Sequence, residues 1–169
     1  MYEDESVVLR RILKDKLDGL DIKIYQLLRE NGRMSDTKIA EKLGVSVTTI
    51  RRRRMRLQEE GILQIIALIL LRAADVAYAD VLVKFKKHAK MENIREFLSK
   101  AVMNPRIYEV TEYIGGECDV LLRFFEANPE TLKYHIDKFL REEDIVEKYT
   151  IYLAIGSPKA WYRQFKLRF

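Results

Sequence analysis

An α+β chain of two domains is predicted by three observations. The stretch from Met34 to Leu63 reads as two short helices meeting at a Gly44-Val45 corner, with Arg51, Arg52, Arg53, Arg54 and Arg56 crowded onto the second. Beyond Leu71 the pattern changes to β-branched alternating runs interleaved with amphipathic ones, in the order strand, helix, strand, strand, helix, strand. The chain is 169 residues long and 48% hydrophobic, enough to bury a core. Its longest apolar run, Ile65 to Leu71, has the length of a strand and falls short of a membrane span.

The boundaries that follow are a helical extension over 1–17, a three-helix domain over 18–63, a connector over 64–76, a βαββαβ domain over 77–156 and a tail over 157–169. Ser6 to Leu17 predicts a helix with Val8, Ile12 and Leu13 on one side and Arg10, Arg11, Lys14 and Lys16 on the others. It suits packing on a neighbour or a partner subunit, and a basic arm on phosphate is the other reading. Leu20 to Asn31 is the next helix, with Asp18 as cap and Leu20, Ile24, Leu27 and Leu28 at inward spacing.

Ser35 caps the following helix, whose inner face is Ile39, Ala40 and Leu43. Gly44 stands where the chain needs a residue tolerant of positive φ. Ser46 caps the helix after the corner. Ile50 and Leu57 lie seven apart on its inner face, and no acid occurs between Ser46 and Gln58. A short helix, a glycine corner and a capped cationic helix form a helix-turn-helix, whose second helix enters the DNA major groove. The competing reading is a solvated charged face.

Gly61 ends that helix, and Ile62 to Leu71 predicts an extended connector or wing. Ala77 to Phe85 is then a strand and Met91 to Val102 a helix with Ile94, Phe97, Leu98 and Ala101 inward. Arg106 to Ile114 and Cys118 to Phe125 are strands about the Gly115-Gly116 turn. Asn128 caps a helix with Pro129 in its first position and Leu132, Ile136, Phe139 and Leu140 inward. Ile145 to Ile155 is the last strand. This order is that of the split βαβ, or ferredoxin-like, sandwich: two helices cover one face of an antiparallel sheet. The other face is expected to carry Val, Tyr, Leu and Phe side chains and to be covered by dimerisation. In the tail, Trp161, Tyr162, Phe165 and Phe169 alternate with Lys159, Arg163, Lys166 and Arg168, a pattern that suits packing across a subunit boundary or stacking on single-stranded nucleic acid.

Chemistry is concentrated on the arginine helix. Ser46, Thr48 and Thr49 lie in its first turn, where amides and hydroxyls meet phosphate or base edges. Arg51 and Arg52 are the candidates for base contact, because a bidentate arginine on guanine is the commonest specific pairing. Arg53 and Arg56 are assigned to phosphate or to bracing Glu59 and Glu60. The net charge of +5 suits a polyanionic partner mainly through this clustering. The single cysteine, Cys118, excludes an intrachain disulfide framework and a multi-cysteine zinc site. No cofactor, metal or membrane partner is expected. The acidic Met1-Tyr2-Glu3-Asp4-Glu5 start lacks a signal-peptide n-region, which predicts a cytoplasmic, nucleoid-associated protein.

With these pieces in order, the sequence resembles the Lrp/AsnC family of bacterial and archaeal transcription regulators. The carriers are Leu20-Asp21-Ile22-Lys23-Ile24 with Leu27, the turn Leu43-Gly44-Val45-Ser46, the helix Ile50 to Leu57 running into Glu59-Glu60-Gly61-Ile62, and Gly116-Glu117-Cys118-Asp119. The resemblance covers nearly everything from Asp18 to Ile155. It implies a homodimer, often assembled further to a tetramer or octamer, on double-stranded DNA. It also implies a small effector, commonly an amino acid, bound where dimers meet. Gly116, Glu117 and Asp119 inherit that effector role, lined by Ile114 and Gly115. Turn amides can hold a carboxylate and Asp119 an ammonium, although Gly115-Gly116 also suits a plain hairpin. The chain departs from the family at Arg54, where an apolar residue is usual, at Cys118, where a bulky one is common, and in its two extensions.

Two other function classes compete. Siroheme decarboxylases share the two-domain plan, but they need pocket histidines and arginines, and here the only histidines are His88 and His135, without a neighbouring nucleophile or metal-ligand partner. An architectural protein coating DNA without operator preference would show steep salt dependence and a specificity ratio near one.

Overall fold

The computed structural model describes residues 3–13, 16–67, 76–156, 159–160 and 163–164. The chain divides into two compact units, Met1–Leu68 and Ile69–Phe169. The first holds α1 (Glu5–Ile12), α2 (Gly19–Glu30), α3 (Asp36–Leu43) and α4 (Val47–Glu59). Its core joins Ile22, Ile24 and Leu28 of α2 to Ile39 and Ala40 of α3 and Ile50 and Leu57 of α4, closed by Leu17 and Leu63. Fully burying an aliphatic side chain contributes about 1.5–3 kcal/mol, so this cluster holds the corner's geometry.

The inner face of α2 differs from the sequence reading. Ile22 and Asp21 are buried, while Leu20 and Leu27 are only partly so. Asp18 and Asp21 form a reciprocal capping box, which turns the first turn of α2 inward. The N-terminal helix ends at Ile12, short of the expected Leu17, and its Glu5 carboxylate pairs with Arg29 of α2. Leu9 and Leu13 pack against the first core, so α1 is a lid on its own unit. Residues 62–67 form no strand, and the remainder of the expected extended run, 68–75, lies outside the described residues. Once Gly61 has ended α4, Leu63 is drawn back to the helix by its amide, which donates to the Leu57 carbonyl at 2.9 Å.

The second unit contains β1 (Ala77–Phe85), α5 (Met91–Met103), β2 (Ile107–Glu112), β3 (Val120–Glu126), α6 (Pro129–Arg141) and β4 (Val146–Leu153). The sheet is antiparallel throughout, in the order β2-β3-β1-β4. Both helices lie on one face. Phe97 and Ala101 of α5 and Leu132, Ile136 and Leu140 of α6 bury against Ala79, Val81, Val83, Val120, Leu122 and Phe124. Asn128 caps α6 by accepting from the Thr131 amide at 2.9 Å.

The opposite sheet face is not the bare apolar surface expected. The register sets Asp80 of β1 opposite Arg123 of β3, and Arg123 opposite Glu109 of β2. Arg123 donates to Asp80 at 3.0 Å and to Glu109 at 2.6 Å, so an acid-base-acid triad crosses the face. Tyr78, Leu82, Tyr108 and Phe125 share it, with the rings of Tyr108 and Phe125 6.0 Å apart. The tail adds a hairpin that the sequence did not signal, β5 (Lys159–Ala160) with β6 (Arg163–Gln164). Its four aromatic residues lie outside the described residues.

Candidate nucleic-acid interface

Local chemistry sets the corner. The Ser35 hydroxyl accepts from the Lys38 amide at 3.3 Å, and Gly44 ends α3 with φ of 67°, a conformation costly for a residue with a Cβ. The chain leaves through the Val45 amide, which donates to Ala40 at 3.2 Å, and enters α4 at Ser46. The Ser46 hydroxyl accepts from the Thr49 amide at 3.1 Å and lies 2.8 Å from the Thr49 hydroxyl. Both hydroxyls are therefore committed to the cap, and Thr48 keeps its own facing solvent. Every other helix of the described residues has an acid in its first turn, whereas α4 has none. Its positive end is left for an outside anion.

The arginines are less free than their run suggests. Arg53 pairs with Asp18 and reaches Asp21 at 3.2 Å, and Arg56 donates to Asp21 at 2.7 Å. Asp21 is 1% exposed and joins α2 to α4 through these two guanidinium groups. The bracing expected from Glu59 and Glu60 thus comes from α2, because Arg53 and Arg56 share the flank of α4 that meets the capping box. Arg54 grips Asp36 at the start of α3 through two bonds of 2.7 and 3.0 Å and donates to Gln58 at 3.0 Å. Arg51 stands 3.5 Å from the same carboxylate and is 65% exposed. Arg52 is exposed and has no ion-pair partner among the described residues.

The carboxylates respond accordingly. Hydrogen bonds from Arg54 foremost hold Asp36 below the usual carboxylate range, against the opposing effect of burial. For Asp18, burial pushes upward, but the bonds from Arg53 and the helix amides prevail and its pKa is lowered. Sequence reasoning missed Asp18, Asp21 and Asp36 as partners. Their spacing from the arginines is long in sequence and becomes visible only when the three helices are packed.

The turn assigned to an effector has a distinct geometry. Ile114 is fully exposed, and Gly115 and Gly116 carry successive φ values of 84° and 78°. Glu117, also exposed, reaches Lys148 at 2.7 Å. Asp119 turns the other way, toward the sheet, accepting from Lys84 at 2.8 Å and from the Phe85 amide at 2.8 Å. Burial raises the Asp119 carboxyl, and these two bonds more than offset it, leaving a net lowering. The turn thus brings Gly116, Glu117 and Asp119 together with Lys84 and Lys148. These lysines are cross-strand neighbours that only the register reveals. Cys118 is half-buried beside the Val120 carbonyl.

His88 is exposed, and His135 stands 3.7 Å from Glu126 against the Tyr134 ring. Among the described residues no cluster of His, Cys, Asp and Glu has the arrangement of a metal site, and no helix is long and apolar enough to cross a membrane.

Residues 17–64 match a family model described as winged helix-turn-helix DNA-binding. The chain is 32% identical over 146 residues to an uncharacterised HTH-type transcriptional regulator of Pyrococcus horikoshii, covering 86% of this chain and 91% of that one. Among solved structures it resembles a transcriptional regulator of Neisseria meningitidis in complex with L-Met, with a TM-score of 0.76 and 26% identity over 86% of this chain and 94% of the other. An AsnC family transcriptional regulator from Agrobacterium tumefaciens shares the fold at a TM-score of 0.75 and 21% identity, over 90% and 97% of the two chains. A DNA-binding corner followed by an α+β sandwich, with relatives matched over most of both lengths, makes this chain a member of the Lrp/AsnC family of transcriptional regulators.

Proposed function

We propose that the protein is a sequence-specific regulator that reads DNA through the first two turns of α4 and responds to a small effector, an amino acid or a close analogue. The observation that carries the DNA side is the partition of the arginines. Arg53, Arg54 and Arg56 are consumed by Asp18, Asp21 and Asp36, while Arg52 and the exposed Arg51 project from a helix whose N-terminus no acid neutralises. Few free cations on a rigidly braced helix favour base reading over indiscriminate coating. Arg53 and Arg56 hold the helix in place for that reading. Thr48, with the backbone amides of the first turn, supplies phosphate contacts beside the Ser46–Thr49 cap.

For the effector, support comes from the L-Met complex of the Neisseria relative and from the Ile114–Glu117 turn. Two adjacent positive-φ glycines shape that turn, whose residues 114–117 are exposed. In this reading Gly115, Gly116 and Ile114 line the site, Glu117 presents a carboxylate, Asp119 holds the turn in place through Lys84 and the Phe85 amide, and a second copy of the chain closes it. The sheet face bearing the Arg123 triad serves a homodimer, which gives a two-fold pair of recognition helices for two half-sites one turn apart. Calorimetric titration of the twenty amino acids into the full chain tests the effector. Saturable heat from one chemical group of them, abolished by Asp119→Asn, is expected; no heat from any of them would contradict it.

A further inference from the structure

Asp36 is the point where two arginines of the recognition helix meet one carboxylate. It is 9% exposed at the start of α3 and can be filled once in bidentate geometry. Arg54 fills it, with Nε to Oδ1 at 2.7 Å and Nη2 to Oδ2 at 3.0 Å, and Gln58 braces the remaining side of the guanidinium at 3.0 Å. Arg51 lies one turn earlier on the same flank of α4 and only grazes Asp36, Nε to Oδ2 at 3.5 Å. Its side chain is 65% exposed, against 27% for Arg54. Both long side chains seek the same nearly dehydrated carboxylate, and the one nearer the helix N-terminus has lost the competition.

We propose that Arg54 is a positioning residue that saturates Asp36 and thereby leaves Arg51 available to DNA. A carboxylate this buried is costly without a cation, so with Arg54 removed it would draw in Arg51, its other ion-pair partner among the described residues. Arg51 then points along α4 toward α3 instead of outward. One charge leaves the DNA face although no DNA-contacting residue has been altered. The proposal rests on the reading of Arg51 as a DNA contact.

The test is a double-mutant cycle read by salt dependence, using the full chain on a random-sequence duplex long enough for two half-sites. Each phosphate neutralised contributes about 0.9 to the slope of log Kobs against log salt. Arg51→Gln is expected to lower the wild-type slope by about 0.9, because on random sequence, with no cognate base to read, its guanidinium lies against a phosphate. Arg54→Met, which keeps the aliphatic packing, should lower it by a similar amount, and Arg51→Gln added to Arg54→Met should change it little further. Adding Asp36→Asn to Arg54→Met should restore the slope, a rescue that simple loss of packing would not give. Full additivity of Arg51→Gln and Arg54→Met, or failure of the rescue, would overturn the proposal. If Arg51→Gln leaves the wild-type slope unchanged, the reading of Arg51 itself fails and the proposal with it. The comparison also stands without an Arg54 variant: Arg51→Gln should cost the same slope in an Asp36→Asn background as in the wild type. A larger cost there would show that Asp36 holds Arg51 back, contradicting the assignment.

Discussion

Arg52 and Asp21 mark the two extremes of what a charged residue does in this protein. Arg52 is exposed and unpaired among the described residues, so its guanidinium loses little on moving from water to a base edge. Arg52→Ala is expected to cost about 1–3 kcal/mol on a cognate site and much less on random DNA, measured by competition binding at constant salt. Equal losses on both would reassign it to phosphate. Asp21, at 1% exposure, receives Arg53, Arg56 and the Asp18 amide. Asp21→Ala removes the acceptor for all three. The two arginines reach solvent and can partly rehydrate, so the expected loss is about 1–3 kcal/mol in urea unfolding, below that of a fully buried pair. Asp36 adds a pH signature. Its carboxyl is held below its ordinary value in the fold, so its contribution is complete above the unfolded pKa and is lost as the pH falls through the folded one. Stability should therefore decline as pH drops below about 4, and Asp36→Asn should flatten part of that decline in acid titrations followed by circular dichroism.

At the level of elements, caps and glycines made the sequence legible. Asp18, Ser35, Ser46 and Asn128 each accept the backbone hydrogen bond expected of a cap, and Gly44 adopts the left-handed conformation its place requires. Such signals act within a few residues, so the local order of residues alone exposes them. Ser46→Ala is accordingly expected to cost about 1 kcal/mol in thermal or urea unfolding, because the Thr49 amide loses its acceptor. What escaped was set by contacts distant in sequence. The arginine run reads as a bare cationic face until α2 and α3 bring Asp18, Asp21 and Asp36 against it. Likewise the open sheet face reads as apolar until register aligns Asp80, Arg123 and Glu109, and Lys84 meets Asp119 only through the β1–β3 pairing. Period-two alternation assigns a residue to a face but not to its neighbours on that face.

For the whole molecule, the braced recognition helix belongs to one unit and the α+β sandwich to the other, so the proposed DNA reading and the proposed effector sensing fall to separate units. The triad on the sheet face gives the expected dimer a polar centre amid Tyr78, Leu82, Tyr108 and Phe125. Arg123→Ala would leave Asp80 and Glu109, on either side of β3, without the cation they share. It should shift the full chain toward monomer in sedimentation velocity and weaken binding to paired half-sites more than to a single one. The central claim, a regulator that recognises particular sites and answers to an effector, is most directly tested by footprinting. The full chain would be titrated on the upstream region of its own gene and on random DNA at one near-physiological salt concentration, with and without the twenty amino acids. Protection of a discrete site with helical-turn periodicity, shifted by the amino acids, is the predicted result; uniform coverage of both DNAs, indifferent to them, would contradict the claim and mark an architectural protein.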